Sequence, residues 1–154
     1  MRVYLDNCCF NRPYDDQSQV NISLETQAKL HIQDLIKAGK LELVSSFVLA
    51  FENSQNPHEA RRKAIKRFID NNASIYLNRS FQDMIAAKRD EIMATGIKYK
   101  DASHLACAIF TDCDVFITTD KRLIKYHTDS IHIINPTEFF VFEEEMQYAE
   151  PIDG

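Results

Sequence analysis

Val3-Tyr4-Leu5-Asp6-Asn7, followed by Cys8-Cys9-Phe10-Asn11-Arg12-Pro13, is a short apolar run that begins almost at the first residue and stops in a carboxylate. The β-prone residues before Asp6 predict a central strand that delivers this side chain to the edge of a sheet. The plain alternative is a turn or cap aspartate, since Asp favours both. The choice depends on whether other carboxylates reach the same place.

The later sequence supplies the frame. Leu24, Ala28, Ile32, Leu35 and Ile36 recur at helical spacing from Ser23, and Gly39 is a natural stop. Leu41 to Ser45 alternates like a strand, completing a β-α-β unit. A helix then begins near Ser46, an acceptable N-cap, and carries Glu52 in its second turn. Asn56-Pro57 opens a further helix with Ala60, Ala64, Phe68 and Ile69 as its apolar stripe. Arg61, Arg62, Lys63, Lys66 and Arg67 form its other face, a charge run read as solvated, with nucleic-acid contact as the alternative.

Ala73 to Leu77 is the third strand. The helix from Ser80 to Gly96 has Phe81, Met84, Ile85, Lys88 and Ile92 on one stripe, with its methionines read as core filler. Asp101 starts a helix whose face of Ala102, Leu105, Ala106 and Ile109 suits close packing on a sheet. Val115 to Thr119 is β-branched and apolar, as in strands buried on both faces, and it ends at Asp120. That repeats the opening pattern of strand, then carboxylate. A short helix over 121–126, a fifth strand over 131–134 and a brief helical turn over 135–140 complete the domain. The expected organisation is one domain over 1–142 and a loosely held acidic tail over 143–154.

Strands alternating with helices predict an α/β three-layer sandwich around a mostly parallel sheet of four or five strands. Residues just past the C-terminal ends of parallel strands share one edge of the sheet. Asp6 and Asp120 hold such positions. The helix begun by Asp101 runs back toward the start of the next strand, so its own start faces the same edge, and Glu52 leans over from a helix leaving that edge. Four carboxylates in one cleft repel one another and lose hydration, which protonation or a cation relieves. Hard oxygen donors suit Mg²⁺ or Mn²⁺, and such sites activate water against a phosphodiester while stabilising the leaving oxygen. Asp112 and Asp114 precede the fourth strand and fall roughly 20 Å away at about 3.3 Å per residue. Asp15 and Asp16 read as loop solvation.

Composition limits the alternatives. The 154 residues are 45% hydrophobic and include only 3 Gly and 4 Pro, enough for a core and unlike a disordered chain. A net charge of -5 argues against coating nucleic acid by bulk electrostatics. No stretch has the length of a membrane span or the pattern of a signal peptide, so the expected location is the cytoplasm. Cys8, Cys9, Cys107 and Cys113 lack zinc or redox spacing and are expected as reduced, mostly buried thiols. His31, His58, His104, His127 and His132 are scattered and read as surface or satisfied residues. No Ser-His-Asp or Cys-His constellation and no glycine-rich phosphate loop is evident.

Val-Tyr-Leu-Asp6-Asn7, Ser46 with Glu52 six residues on, Asp101-Ala102 opening a small-residue helix, and Ile-Thr-Thr-Asp120 near the end occur in an order that resembles the PIN-domain ribonucleases, especially VapC-like toxins of toxin–antitoxin pairs. The resemblance covers nearly the whole chain. It implies that Asp6, Glu52, Asp101 and Asp120 are catalytic ligands of one or two Mg²⁺ or Mn²⁺ ions, with Asn7, Ser46 and Thr118 or Thr119 as polar helpers. It also implies a homodimer and inhibition by a small antitoxin protein. Cys8-Cys9-Phe10-Asn11-Arg12-Pro13 departs from the usual toxin pattern. The expected activity is endoribonuclease cleavage of single-stranded or looped RNA, with Arg12, Lys98, Lys100, Lys121 and Arg122 as backbone-binding cations. The rival readings are an inactive PIN-like module that binds RNA or protein, and an RNA-processing nuclease without an antitoxin. A haloacid-dehalogenase-type phosphatase would need a second Asp where Cys8 stands.

Overall fold

A computed structural model describes the backbone of residues 1–149 and the side chains of residues 1–145. Its centre is a five-stranded, all-parallel sheet in the order β3-β2-β1-β4-β5. The strands are β1 (Arg2–Leu5), β2 (Glu42–Ser46), β3 (Ala73–Leu77), β4 (Val115–Ile117) and β5 (His132–Ile134). Eight α-helices accompany them among the described residues: α1 (Asn7–Asn11), α2 (Val20–Lys37), α3 (Phe47–Ser54), α4 (Glu59–Asn72), α5 (Gln82–Met93), α6 (Tyr99–Phe110), α7 (Lys121–Ile124) and α8 (Phe139–Ala149).

Alternation along β1 explains the layering. Val3 and Leu5 enter one core with Ile32, Ile36, Leu49 and Phe139, while Tyr4 enters the other with Leu105, Ala106 and Phe116. Both faces of the sheet are therefore covered, as an all-parallel sheet requires. The Tyr4 and Phe116 rings stack at 5.4 Å on the α6 side. Alanines 102, 106 and 108 of α6 are buried, which lets this helix lie close to the strands.

β1 pairs with β2 on one side and β4 on the other, Val3 opposite both Leu43 and Val115. The chain thus builds outward through β2 and β3, then crosses back to β4. The gap beyond the ends of β1 and β4 is the topological switch point, where open α/β sheets leave a crevice.

Several sequence expectations need correction. The segment 11–16, which reads from its Pro and Asp residues as a polar loop, continues directly from helix α1 and forms a 3-10 turn over Arg12–Tyr14. Helix α2 starts at Val20 rather than Ser23, and its Leu24 is exposed. Pro57 lies outside α4, whose buried residues are Ile65 and Ile69, whereas Ala60 and Ala64 face solvent. Small alanines fit either environment, so only the branched residues marked the inner face. Met84 is 59% exposed, not core filler; Ile85 and Ile92 carry the burial on α5. A 3-10 turn over Pro136–Glu138 leads into α8, which continues past residue 143 to Ala149; residues 150–154 of the expected acidic tail lie outside the described residues.

Arg12 is not free at the surface. Its Nε and Nη2 donate to Glu25 Oε1 at 3.0 and 2.8 Å, and Nη1 donates to Asp15 at 3.1 Å. The other Glu25 oxygen accepts from Asn135 Nδ2. Glu25, buried on α2, therefore joins the segment after α1 to the turn after β5. All four cysteines are free thiols; Cys9, Cys107 and Cys113 are buried and Cys8 is half-buried. Among the described residues, no helix is long and apolar enough to cross a membrane. Glu25→Ala leaves the half-buried Arg12 guanidinium with Asp15 as its remaining partner and is expected to cost about 1–3 kcal/mol. Urea unfolding checks this, and an Arg12→Ala/Glu25→Ala double variant losing much less than the sum identifies the pair as the cause.

Candidate functional site

Asp6 follows β1 directly and occupies the cap position of α1, its Oδ1 accepting from Asn7 N at 2.8 Å. Asp120 has the same relation to α7, accepting from Arg122 N at 2.9 Å. Both aspartates are thus the helix caps that the plain reading describes. Capping also fixes where they point, so that reading and a place at the sheet edge coexist. Ser46 ends β2 and caps α3 by accepting from Leu49 N at 3.1 Å, as its position in the sequence indicates. Asp101 lies in the first turn of α6, whose cap residue is Lys98.

A buried hydrogen-bond chain ties these elements together. The Tyr4 hydroxyl is 2.7 Å from Ser46 Oγ and 2.7 Å from His104 Nδ1. His104 Nε2 donates to Glu52 Oε2 at 2.5 Å and lies 4.0 Å from Asp6 Oδ1. Asn7 Nδ2 donates to the second Glu52 oxygen at 3.1 Å. On the other flank, Thr118 Oγ1 donates to Asp6 Oδ2 at 2.8 Å and accepts from Asp120 N at 3.1 Å. The Cys8 thiol approaches the same Asp6 oxygen at 3.4 Å and Thr118 Oγ1 at 3.5 Å. Thr119 contributes its backbone N–H, which points at Cys8 Sγ at 3.4 Å.

His104 and Tyr4 were not singled out by the sequence. His104 sits three residues after Asp101, and that i, i+3 spacing on one helix face was the available signal. Tyr4 looked like an ordinary strand residue, and nothing local marks its hydroxyl as buried against a histidine. Burial pushes the Tyr4 phenol well above its ordinary pKa, with smaller contributions from Cys107 and Asp6, so it remains a neutral donor.

The electrostatics connect all four acids. Burial pushes the Asp101 carboxyl up, and the nearby charges of Asp6, Asp120 and Glu52 push the same way, opposed by His104. Glu52 moves in the other direction. Burial raises it, but His104, through its hydrogen bond and its charge, together with Lys100 and Asn7, holds it below the usual carboxylate value. Lys100 Nζ lies 4.0 Å from Glu52 and is exposed. Lys98, Lys121 and Arg122 are also exposed, on the loops and helix ends around this edge. Arg12 is occupied by Glu25 and Asp15, as described above. Asp114 is at the opposite end of β4, accepting from Arg2 N at 2.8 Å.

Two solved structures share this architecture. The VapBC2 complex from Rickettsia felis, bound to a DNA fragment from its promoter, superposes with a TM-score of 0.55 at 13% identity over 88% of this chain and 98% of that one. FitAcB from Neisseria gonorrhoeae gives a TM-score of 0.51 at 12% identity, over 87% and 97%. The fold is theirs. The three-layer, PIN-like α/β arrangement expected from the sequence is the one observed, with all five strands parallel. No protein-family model matches the chain, and no curated protein does.

The donors at this edge are carboxylate oxygens, the kind that hard divalent cations take. Among the described residues, no three His, Cys, Asp or Glu side chains are close enough together to hold an ion unaided. Asp101, pushed up first by burial and then by the charges of Asp6, Asp120 and Glu52, is a carboxylate that a nearby cation would relieve. Mg²⁺ in particular needs only one or two protein carboxylates, with waters completing its shell. Carboxylates placed in this way fit an ion held by one or two of them, with water completing its shell.

Asp101→Asn removes the charge that its neighbours oppose. Because the folded-state pKa is raised, the wild-type penalty exists above that pKa and vanishes below the ordinary value of 3.8. The variant is expected to melt about 1–3 °C higher than wild type at pH 7 in chelator, a modest gain because Asp101 is partly solvated. The gain should disappear near pH 3.5. A lower melting temperature at pH 7 would count against shared repulsion at this edge.

Proposed function

We propose that this chain is a Mg²⁺- or Mn²⁺-dependent endoribonuclease and the toxin of a toxin–antitoxin pair. What supports the reading is that Asp6 and Asp120 follow the neighbouring strands β1 and β4 at the switch point, with Glu52 tied to the same edge through Asn7 and His104, the latter 4.0 Å from Asp6. The fold shared with VapBC2 and FitAcB supports the toxin assignment. The earlier resemblance in motif order supports the nuclease chemistry.

In this reading one or two of the four carboxylates would hold the cation with water completing its shell, and Asp101, crowded by Asp6, Asp120 and Glu52, would be relieved by it. When bound, the cation would supply Lewis acidity toward water and the phosphodiester. Glu52 is kept ionised by His104 and Asn7, so it can orient water or accept its proton. Thr118 and Asn7 fix the carboxylates of Asp6 and Glu52. His104 is a positioning residue, locked between Tyr4 and Glu52. Lys98, Lys100, Lys121 and Arg122 hold the RNA backbone, with Lys100 nearest the acids. Two copies form the working unit, and an antitoxin protein covers the cleft. The chain works in the cytoplasm.

A second reading, a PIN-like binding module without catalysis, is favoured by the spacing of the acids, no three of which form a closed chelate among the described residues. Metal titration separates the two.

Purified protein should cut single-stranded RNA with Mn²⁺ or Mg²⁺ and stop on chelation. Asp6→Asn should lower the rate by at least about 100-fold, of the order expected when a group stabilising transition-state charge is lost. Equal cutting by wild type and Asp6→Asn would remove Asp6 from the mechanism. Induced expression should arrest growth, and Asp6→Asn should relieve it. A short neighbouring reading frame whose product restores growth would identify the antitoxin, and its absence would leave an RNA-processing enzyme.

A further inference from the structure

Glu52 lines a cavity of about 530 Å³ together with Asn7, Asn56, Arg61, Phe51 and Tyr99. A second cavity of about 390 Å³ is lined by Arg89 and Gln82, and again by Phe51 and Tyr99. These two aromatic side chains therefore form a ridge between the cavities. They are 58% and 59% exposed, a high value for large apolar rings beside a charged site. The Tyr99 ring is held in place by Arg89, whose guanidinium lies 4.5 Å from the ring centre and whose Nη1 donates to the hydroxyl at 3.0 Å.

The far wall of the first cavity is a chain of amides anchored on Glu52. Asn7 Nδ2 donates to Glu52 Oε1 at 3.1 Å, Asn11 Nδ2 to the Asn7 carbonyl at 3.0 Å, and Asn56 Nδ2 to Asn11 Oδ1 at 3.1 Å. Two buried polar atoms of this lining lack a partner, the acceptor Asn7 Oδ1 and the donor Arg61 Nε. Unpaired buried groups are costly, and an occupant that pairs them is favoured accordingly. Both atoms are shielded, so an occupant reaches them when Arg61 swings off the Tyr14 ring, 4.6 Å from its guanidinium, and Asn7 tilts without leaving Glu52.

The occupant has to be flat and aromatic to use the ridge, to offer both a donor and an acceptor at its edge, and to belong to a polymer that reaches the acids. A nucleobase meets all three requirements, and aromatic platforms with nearby arginines are the usual means of holding unpaired bases. Bases within a duplex hide their faces and cannot use the ridge.

The geometry points to a track for single-stranded RNA in which two consecutive unpaired bases flank the Phe51–Tyr99 ridge, one in each cavity, next to the bond positioned at Asp6 and Glu52. This site rests on the nuclease reading for its substrate, and it shares Asn7 and Glu52 with the acidic edge, but its stacking and pairing groups Phe51, Tyr99 and Arg61 lie outside that machinery.

The test measures binding in chelator at low ionic strength, by fluorescence anisotropy of a labelled single-stranded RNA octamer and of its blunt duplex. Phe51→Ala and Arg61→Ala should each weaken binding of the strand about tenfold or more. Phe51→Tyr, which keeps a stacking ring, should stay near wild type, as should Tyr76→Ala on strand β3, which lines neither cavity. The duplex should bind at least about tenfold more weakly than the strand. Wild-type protein that does not bind the strand, Phe51→Ala and Arg61→Ala that bind normally, or a duplex bound as tightly, would each overturn the track. Cleavage with Mn²⁺ is scored separately. Intact binding behaviour without any cleavage rejects the nuclease and keeps the base site. Cleavage with unaltered binding in Phe51→Ala and Arg61→Ala rejects the base site and keeps the nuclease.

Discussion

His104 stands between two carboxylates, 2.5 Å from Glu52 and 4.0 Å from Asp6, and its other nitrogen is held by the Tyr4 hydroxyl. Acidic side chains at one sheet edge repel one another, so a fold that collects them needs fixed positive or donor groups behind them. The imidazole provides this from inside the core. Because Tyr4 belongs to the central strand and also meets Ser46 at the end of β2, the same network locks β1, β2, α3 and α6 together. Geometry at the edge is thereby inherited from packing below it. Thr118 does the equivalent on the β4 side, linking Asp6 to the backbone at Asp120.

The sequence was most legible where one strong pattern acts over a short stretch. Apolar strands ending in Asp6 and Asp120 were readable because parallel strands impose a common direction, and Ser46 was readable as a cap because capping is local. It was least legible where the decisive contact is distant. Tyr4 and His104 lie 100 positions apart, and neither carries a local sign of the other. Arg12 looked like a free cation beside the site, but Glu25, thirteen residues later, takes it. Met84 and the alanines of α4 show that apolar spacing alone does not say which face turns inward when the residues are small or flexible. The segment after Asp6 is now partly explained. Cys9 and Phe10 fill the core, while Cys8 leans its thiol on Asp6 and Thr118.

Around the acids, polar and aromatic roles are divided by helix position. Glu52 turns inward to His104, and its neighbour Phe51 turns outward, so one turn of α3 serves both the charged edge and the exposed ridge. Asn7 likewise serves Glu52 through its amide nitrogen and leaves its oxygen unpaired. The carboxylate side, with its donors already committed, is ordered before anything binds, which reduces the conformational cost of binding there.

The pairing of β1 with β4 has a further consequence during synthesis. Thr118, which holds the Asp6 carboxylate, lies 112 positions later in the chain and is made well after it. Contacts of such wide sequence separation close slowly and late in folding. The nascent protein therefore carries an incomplete edge until β4 and Asp120 have emerged, and truncated products that end before β4 lack both the strand beside β1 and the carboxylate of Asp120.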